Sequence, residues 1–313
     1  MIKSITIETD RNGSLELELT RPGDTGFIVK LIEGLGPAKA KINVSKFATK
    51  HGGKYNSSRI DERNITMELE FLQTATETIE DLRYKSYKYF PEGEHIGFIV
   101  ETDTRRAKIE GYVESNEPDI FSQNEGCNIS IVCPDPFFKS VYKNTYPINT
   151  VDPLFEFEFE ADYADEPDNA MTLIMGNVND SNSRIINYSG DYATGVNIYV
   201  FVREDITSNL TISNLTTGET LVIDIDKLSS IATAAGMNEG IKSGDIISIN
   251  TYIGSKSISL ARGADTINIL NCLKVEGGWI TLVKGDNEIS YISEDAETAL
   301  ELYIESSVIY HGV

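Results

Sequence analysis

Apolar and polar positions alternate with period two through most of the chain, and the period lengthens at two places. Ile5-Thr6-Ile7 and Leu15-Glu16-Leu17-Glu18-Leu19 alternate on either side of Asp10-Arg11-Asn12-Gly13. An Asn-Gly step between two such runs predicts a hairpin, because both residues tolerate positive φ. Ile65-Thr66-Met67-Glu68-Leu69-Glu70-Phe71 repeats the alternation and predicts a strand with one face in water. From Thr74 the spacing changes. Thr74-x-x-Glu77 makes a capping-box signature, Ile79, Leu82, Tyr87 and Phe90 recur at near-helical intervals, and Pro91 and Gly93 end the run; a helix is predicted there. Gly97 to Thr102 and Arg106 to Val113 read as paired strands joined by a polar turn. Cys127 to Cys133 reads as a strand carrying both thiols on one face.

The second half is almost all strand. Phe155-Glu156-Phe157-Glu158-Phe159-Glu160 alternates throughout, and runs at Val196–Val202, Leu210–Ile212, Leu221–Ile225, Ile246–Asn250, Ser257–Leu260, Ile280–Leu282 and Glu288–Tyr291 follow at short intervals. Thr217-Gly218, Ser243-Gly244-Asp245 and Lys284-Gly285-Asp286-Asn287 punctuate them. Short strands with frequent turn chemistry predict a sandwich of two antiparallel sheets. A short helix or ordered loop is expected at Lys227 to Gly236, where Leu228, Ile231 and several alanines cluster. The fold class expected is therefore mainly β, with one helix in the first half.

The two halves are divided by proline. Four of the nine prolines (Pro134, Pro136, Pro147 and Pro153) fall within about twenty residues, a composition suited to a stiff extended crossing. Two domains are expected, 1–145 and 146–313. Charge divides the same way: residues 1–150 carry 19 Lys+Arg against 23 Asp+Glu, and residues 151–313 carry 8 against 26. The net charge of −22 excludes tight nucleic-acid binding, which needs basic charge to displace counterions, and makes anionic membranes poor partners. No stretch approaches the length of a membrane helix, and the N-terminus lacks the apolar core of a signal peptide. A soluble protein made in a cytoplasm is expected.

Catalytic material is sparse. His51, His95 and His311 lie in loop or tail contexts, and no GxSxG, Walker, HExxH or GxGxxG pattern occurs. Gly34-Leu35-Gly36-Pro37 lacks the third glycine of a phosphate loop and reads as a turn. Cys127, Cys133 and Cys272 include no CxxC, which argues against a disulfide framework or a structural zinc site. The acidic run Asp162-x-x-Asp165-Glu166-x-Asp168 lacks the glycine and terminal glutamate of an EF-hand and reads as a solvated loop. No catalytic residue, cofactor or metal is expected; a glycoside hydrolase built on paired carboxylates is the weakest alternative. Trp279, the single tryptophan, reads chiefly as sandwich core and alternatively as a weak glycan contact. Arg105, Arg106 and Lys108 read as a solvated turn or part of a subunit contact.

In chain order, several segments resemble one family. They are Gly34-Leu35-Gly36-Pro37, Gly52 to Arg63, the helix ending at Phe90-Pro91, Arg106 to Ser115, and Cys133-Pro134-Asp135-Pro136-Phe137-Phe138. In the second half they are Asn187 to Asp191, Ile212 to Glu219, Ser243-Gly244-Asp245 and Trp279 to Asn287. Together these segments resemble the distal tail protein (Dit) family of bacteriophages. The resemblance implies a tail-tube-like first domain that closes a hexameric ring, and a galectin-like or carbohydrate-binding-module-like β-sandwich with extra residues around 162–184 and 224–240. It also implies a place at the virion tail tip. The implied partners are copies of the chain, the tail tube protein, a tail-associated hub protein, and a receptor-binding or baseplate protein docked on the second domain. Arg59, Arg63, Arg105, Arg106 and Lys108 are the expected subunit or tail contacts, since polar cationic loops in an acidic protein need a counter-surface. The alternative function is an adhesin module for host cell-wall glycans.

Overall fold

The computed structural model describes residues 1–19, 25–148, 150–153, 176–179, 182–293 and 300–313. The chain divides into two units, Met1–Tyr142 with Val308–Val313, and Lys143–Ser307. The first unit thus includes the last six residues, which the sequence pattern assigned to the second domain.

In the first unit, β1 (Ile2–Thr9) and β2 (Gly13–Glu18) form the Asn-Gly hairpin, with Gly13 at φ +75°. β3 (Phe27–Glu33), β4 (Ala40–Lys46), β5 (Gly53–Ile60) and β6 (Arg63–Phe71) follow, then α1 (Ile79–Tyr89), β7 (His95–Thr102), β8 (Arg106–Asp119), β9 (Gly126–Cys133) and β10 (Phe138–Pro147). Antiparallel pairing runs β2-β1-β7-β8-β9-β6-β3. The long β8 serves three neighbours: its first half pairs with β7 and, at Ala107 and Lys108, with β10, and its second half pairs with β9, with a register shift between Val113 and Ser115. A bulge bends and twists a strand, which lets one strand belong to two sheet halves around one core. Ile5, Ile7, Ile65, Met67, Leu69, Phe98, Val100, Ile129 and Ile131 meet there. Cys127 and Cys133 point into the same core, and burial pushes their thiols up to about 12 and about 11; they act as small apolar groups, not nucleophiles.

α1 begins later than the pattern predicts. Thr78 is its N-cap: its hydroxyl accepts from the Asp81 amide, and the Asp81 carboxylate accepts from the Thr78 amide. Thr74 instead closes a turn by accepting from the Glu77 amide. The buried stripe is Leu82, Ser86 and Phe90, while Tyr87 is exposed.

The second unit contains β11 (Thr150–Pro153), β12 (Gly176–Asn179), β13 (Ser183–Tyr188), β14 (Thr194–Gly195), β15 (Asn197–Val202), β16 (Leu210–Asn214) and β17 (Glu219–Ile223). α2 (Ile225–Ala234) comes next, then β18 (Ile246–Asn250), β19 (Ser257–Arg262), β20 (Asp265–Asn268), β21 (Leu273–Glu276), β22 (Thr281–Leu282), β23 (Gly285–Ile292) and β24 (Leu300–Tyr310). One antiparallel sheet runs β24-β15-β18-β19-β20 and another β13-β23-β16-β17-β21. Each buries alternate residues, Ile198, Val200, Ile247 and Ile249 on the first, Ile212, Leu221, Ile289 and Tyr291 on the second. One wet and one dry face per sheet is the sandwich arrangement. α2 occupies the segment where a short helix was expected, capped by Asp224 accepting from the Lys227 amide. The Phe155–Glu160 alternation and the acidic run at Asp162–Asp168 lie outside the described residues.

Candidate assembly interface

Five cations were expected at a subunit or tail contact, and the structure sorts them into four situations. Arg63, the first residue of β6, is 4% exposed. Its Nε donates to the Pro136 carbonyl at 2.7 Å, one terminal nitrogen to Gly34 and Gly36 at 2.5 Å each, and the other to His311 at 2.7 Å. The Phe138 ring lies 4.9 Å from its guanidinium carbon. A buried cation is tolerable only with its donors satisfied, and here four carbonyls do it. The sequence expectation of a surface role is corrected for Arg63: it ties the 34–37 turn, the 134–138 crossing and the C-terminus together. Gly34 is fixed by the same node, since it sits at φ +88° and a Cβ there would lie 2.2 Å from the Asn64 carbonyl oxygen.

Lys108 is half-buried and held by Glu8 at 2.8 Å and Glu110 at 3.0 Å, so its charge is spent within the protomer. Arg105 and Arg106 are exposed at the end of the β7–β8 hairpin. Arg105 stacks 4.6 Å from the Tyr310 ring centre, and Arg106 lies 3.6 Å from Glu101.

Arg59 stands on the feature the pattern did not reveal. The segment Gly52 to Arg63 carries part of the family resemblance and no strand is predicted in it, yet β4 and β5 form a two-stranded sheet of their own. Every residue from Ala40 to Lys46 and from Gly53 to Arg59 is exposed. Cross-strand partners share a face, so Lys41 with Arg59 and Ser45 with Lys54 build a polar face, and Ile42 with Ser58 and Val44 with Tyr55 build the other. The register shift after Asn43 leaves Asn56 as the extra residue, which bonds Ser45 and keeps Tyr55 beside Val44. Ile42, Val44 and Tyr55 are 54%, 47% and 58% exposed, and Phe47 follows at the end of β4. Residues 39–60 hold six Lys and Arg and no Asp or Glu; Asp61, just beyond, reaches Arg59 at 2.7 Å and Lys41 at 3.9 Å. An isolated two-stranded ribbon is marginal in water, and this one exposes both an apolar face and a cationic one.

Trp279 is neither core nor an open platform. It is half-buried, and the Lys256 ammonium lies 5.2 Å over its ring. Among the described residues no group of three or more His, Cys, Asp and Glu is placed to hold a metal, and no helix is long and apolar enough to cross a membrane.

The whole chain superposes on the Dit protein of phage SPP1, described as a paradigm of the hub adsorption apparatus in phages infecting Gram-positive hosts, with a TM-score of 0.62 over 98% of this chain and 99% of that one. The fold is that of phage Dit. Sequence identity to SPP1 Dit is 13%. Chains of the phage P2 baseplate in its activated conformation, with Ca and with Sr, align at 13% identity with TM-scores of 0.48 and 0.47. These cover 97% of this chain and 98% and 97% of theirs. No protein-family model and no curated protein matches the sequence. In this Dit fold, two of the segments that carry the family resemblance, Gly34–Pro37 and Cys133–Phe138, meet at Arg63. They mark a structural node of the fold.

Proposed function

We propose that the chain is a non-catalytic structural subunit of a phage tail tip. Copies of it close into a hexameric ring that joins the tail tube to the tip or baseplate, and the second unit is a platform for receptor-binding or other baseplate proteins. The Dit fold over the full chain supports the setting. The β4–β5 ribbon carries the assembly reading: its apolar face lacks cover, and the six cations of residues 39–60 outnumber nearby acids in a chain of net charge −22. A copy of the same acidic chain offers both the apolar cover and the counter-charge. Head-to-tail contacts of this kind form a ring when the rotation between copies closes.

Sedimentation velocity tests this directly. The wild-type chain is expected to populate a species about six times the 34.7 kDa protomer, alone or with tail tube protein. The Ile42→Asp, Tyr55→Asp double variant is expected to remain a folded monomer with an unchanged circular dichroism spectrum. A wild-type chain that stays monomeric under both conditions would refute the ring, and a variant that assembles like wild type would remove the ribbon from the contact. Lys256 lies over one face of the Trp279 ring, so a glycan contact of the adhesin alternative would use the other face.

A further inference from the structure

The outer face of β3, β6, β9 and β8 in the first unit gathers acids that no base of the same protomer bridges. Register places Glu70 level with Gly126 and Asp119, Glu68 level with Asn128 and Glu117, and Glu33 level with Thr66, Ser130 and Ser115. Glu114, the extra residue at the β8 register shift, accepts from the Ser130 hydroxyl at 2.7 Å and joins the third row. Lys30 holds Glu70, whereas Glu33, Glu68, Glu114, Glu117 and Asp119 are exposed and form no salt bridge among the described residues. Several acids elsewhere in the unit are bridged within it: Glu8 by Lys108, Glu77 by Lys85, Asp103 by Lys3 and Glu125 by Arg83. Two strand spacings separate Glu68 from Glu117, about 10 Å. That is about the screening length at about 0.1 M salt, so these carboxylates repel one another and favour a cation set between them. A depression of about 290 Å³ opens at this point, with Glu68, Glu70, Asp119 and Asn128 in its lining.

The β4–β5 ribbon is the complement of this face in charge and in spacing. Its polar face carries Lys41 beside Arg59 and Ser45 beside Lys54. Lys41 and Ser45 are four residues apart, about 13 Å along the strand. Thr66 and Glu70, which set the Glu33 and Asp119 rows on β6, have the same separation. Four strands make the acidic face about 14 Å across, wide enough for a two-stranded ribbon. The ribbon does not lie on the face of its own protomer, since every residue from Ala40 to Arg59 is exposed.

We infer that this acidic face receives the β4–β5 ribbon of a neighbouring copy, with Lys41, Arg59 and Lys54 set over Glu33, Glu68, Glu117 and Asp119. The inference rests on the ring reading above and names the surface that faces the ribbon. Donor and acceptor are different patches of one chain, as a head-to-tail contact requires. The ribbon face with Ile42, Val44 and Tyr55 is left for the rest of the contact.

Sedimentation velocity of the full chain, alone and with tail tube protein, tests the pairing through charge reversal on either side. Glu68→Lys, Glu117→Lys is expected to lower the ring fraction about tenfold or more while keeping the wild-type circular dichroism spectrum, because both side chains are exposed. Lys41→Glu, Lys54→Glu is expected to fail alone in the same way. Mixed in equal amounts, the two variants should form a ring again: when they alternate, every junction sets opposite charges together, and six positions allow alternation. If the reversed face does not fold, Glu68→Gln, Glu117→Gln takes its place, with a partial loss expected. A face variant that assembles like the wild type, or a mixture of the two reversals that stays monomeric, would overturn this acceptor and leave the ring standing. A wild-type chain that is monomeric both alone and with tail tube protein removes the ring itself, and this contact with it.

Discussion

Arg63 shows how one residue's burial reverses its meaning. In the sequence it follows Asp61-Glu62 in a polar stretch, and an arginine in that company reads as surface. The signal for its burial was nevertheless present: stepping back by two from Phe71, Leu69, Met67 and Ile65 arrives at Arg63, on the inward phase of the same strand. The carbonyl partners were not legible, because Gly34, Gly36, Pro136 and His311 are brought together only by tertiary folding. Desolvation lowers the guanidinium's proton affinity, yet arginine stays charged at any ordinary pH, so the bonds must hold a cation. Lysine at this position supplies a point charge with three donors and cannot span four carbonyls. Arg63→Lys is therefore expected to cost about 2–3 kcal/mol, read as a lower urea midpoint for the first unit. A loss no larger than that of the exposed Arg59→Lys would show that the node does not hold the fold. Trp279 is the opposite case: no sequence pattern could place Lys256 over its ring, because the two lie on different connections.

At the scale of elements, strands with one wet face were legible and helix ends less so. The β1–β2 hairpin, β6, the β7–β8 pair and β9 follow from period-two alternation, because each buries every second residue. α1 was found from its spacing, but two overlapping cap signatures competed for its start, Thr74 with Glu77 and Thr78 with Asp81. The second prevails because starting at Ile79 places Leu82, Ser86 and Phe90 on one side. Thr78→Ala should lower stability by about 1 kcal/mol in chemical unfolding, with a smaller loss for Thr74→Ala; equal losses would contradict the cap assignment. Acid acts on the same box. The Thr78 hydroxyl and amide hold the Asp81 carboxyl below its usual range, so its contribution is present above the unfolded value of about 4 and disappears as pH falls through the lower folded value. The difference between wild type and Asp81→Asn should accordingly narrow in that window. The β4–β5 ribbon escaped notice for a physical reason: β5, Gly-Lys-Tyr-Asn-Ser-Ser-Arg-Ile, has almost no apolar alternation and buries nothing within the protomer. Strand patterns record burial, and this element is exposed along almost its whole length.

For the whole molecule, the proposed ring would be subject to two electrostatic effects of opposite sign, and their ranges separate them. Each copy carries −22, so approaching copies repel over distances set by the ionic atmosphere, about 30 Å at about 0.01 M salt and about 8 Å at about 0.15 M. The ribbon's cations act only at contact, where about 3 Å of screening, reached near 1 M, is needed to quench them. Raising NaCl from about 0.01 to 0.15 M should thus relieve repulsion while sparing the contact pairs, and ring formation should increase. Between about 0.15 and 1 M the pairs weaken in turn, and ring formation should level off or fall. The apolar face of Ile42, Val44 and Tyr55 is strengthened by salt, so a continuous rise to 1 M would assign the contact to that face and leave the cations as solvated bystanders. The Lys41→Glu, Lys54→Glu variant distinguishes the two. Its ring fraction in sedimentation should fall most at about 0.15 M and converge with that of the wild type at high salt; if its loss is the same at every salt concentration, the cations are not paired across the subunit contact.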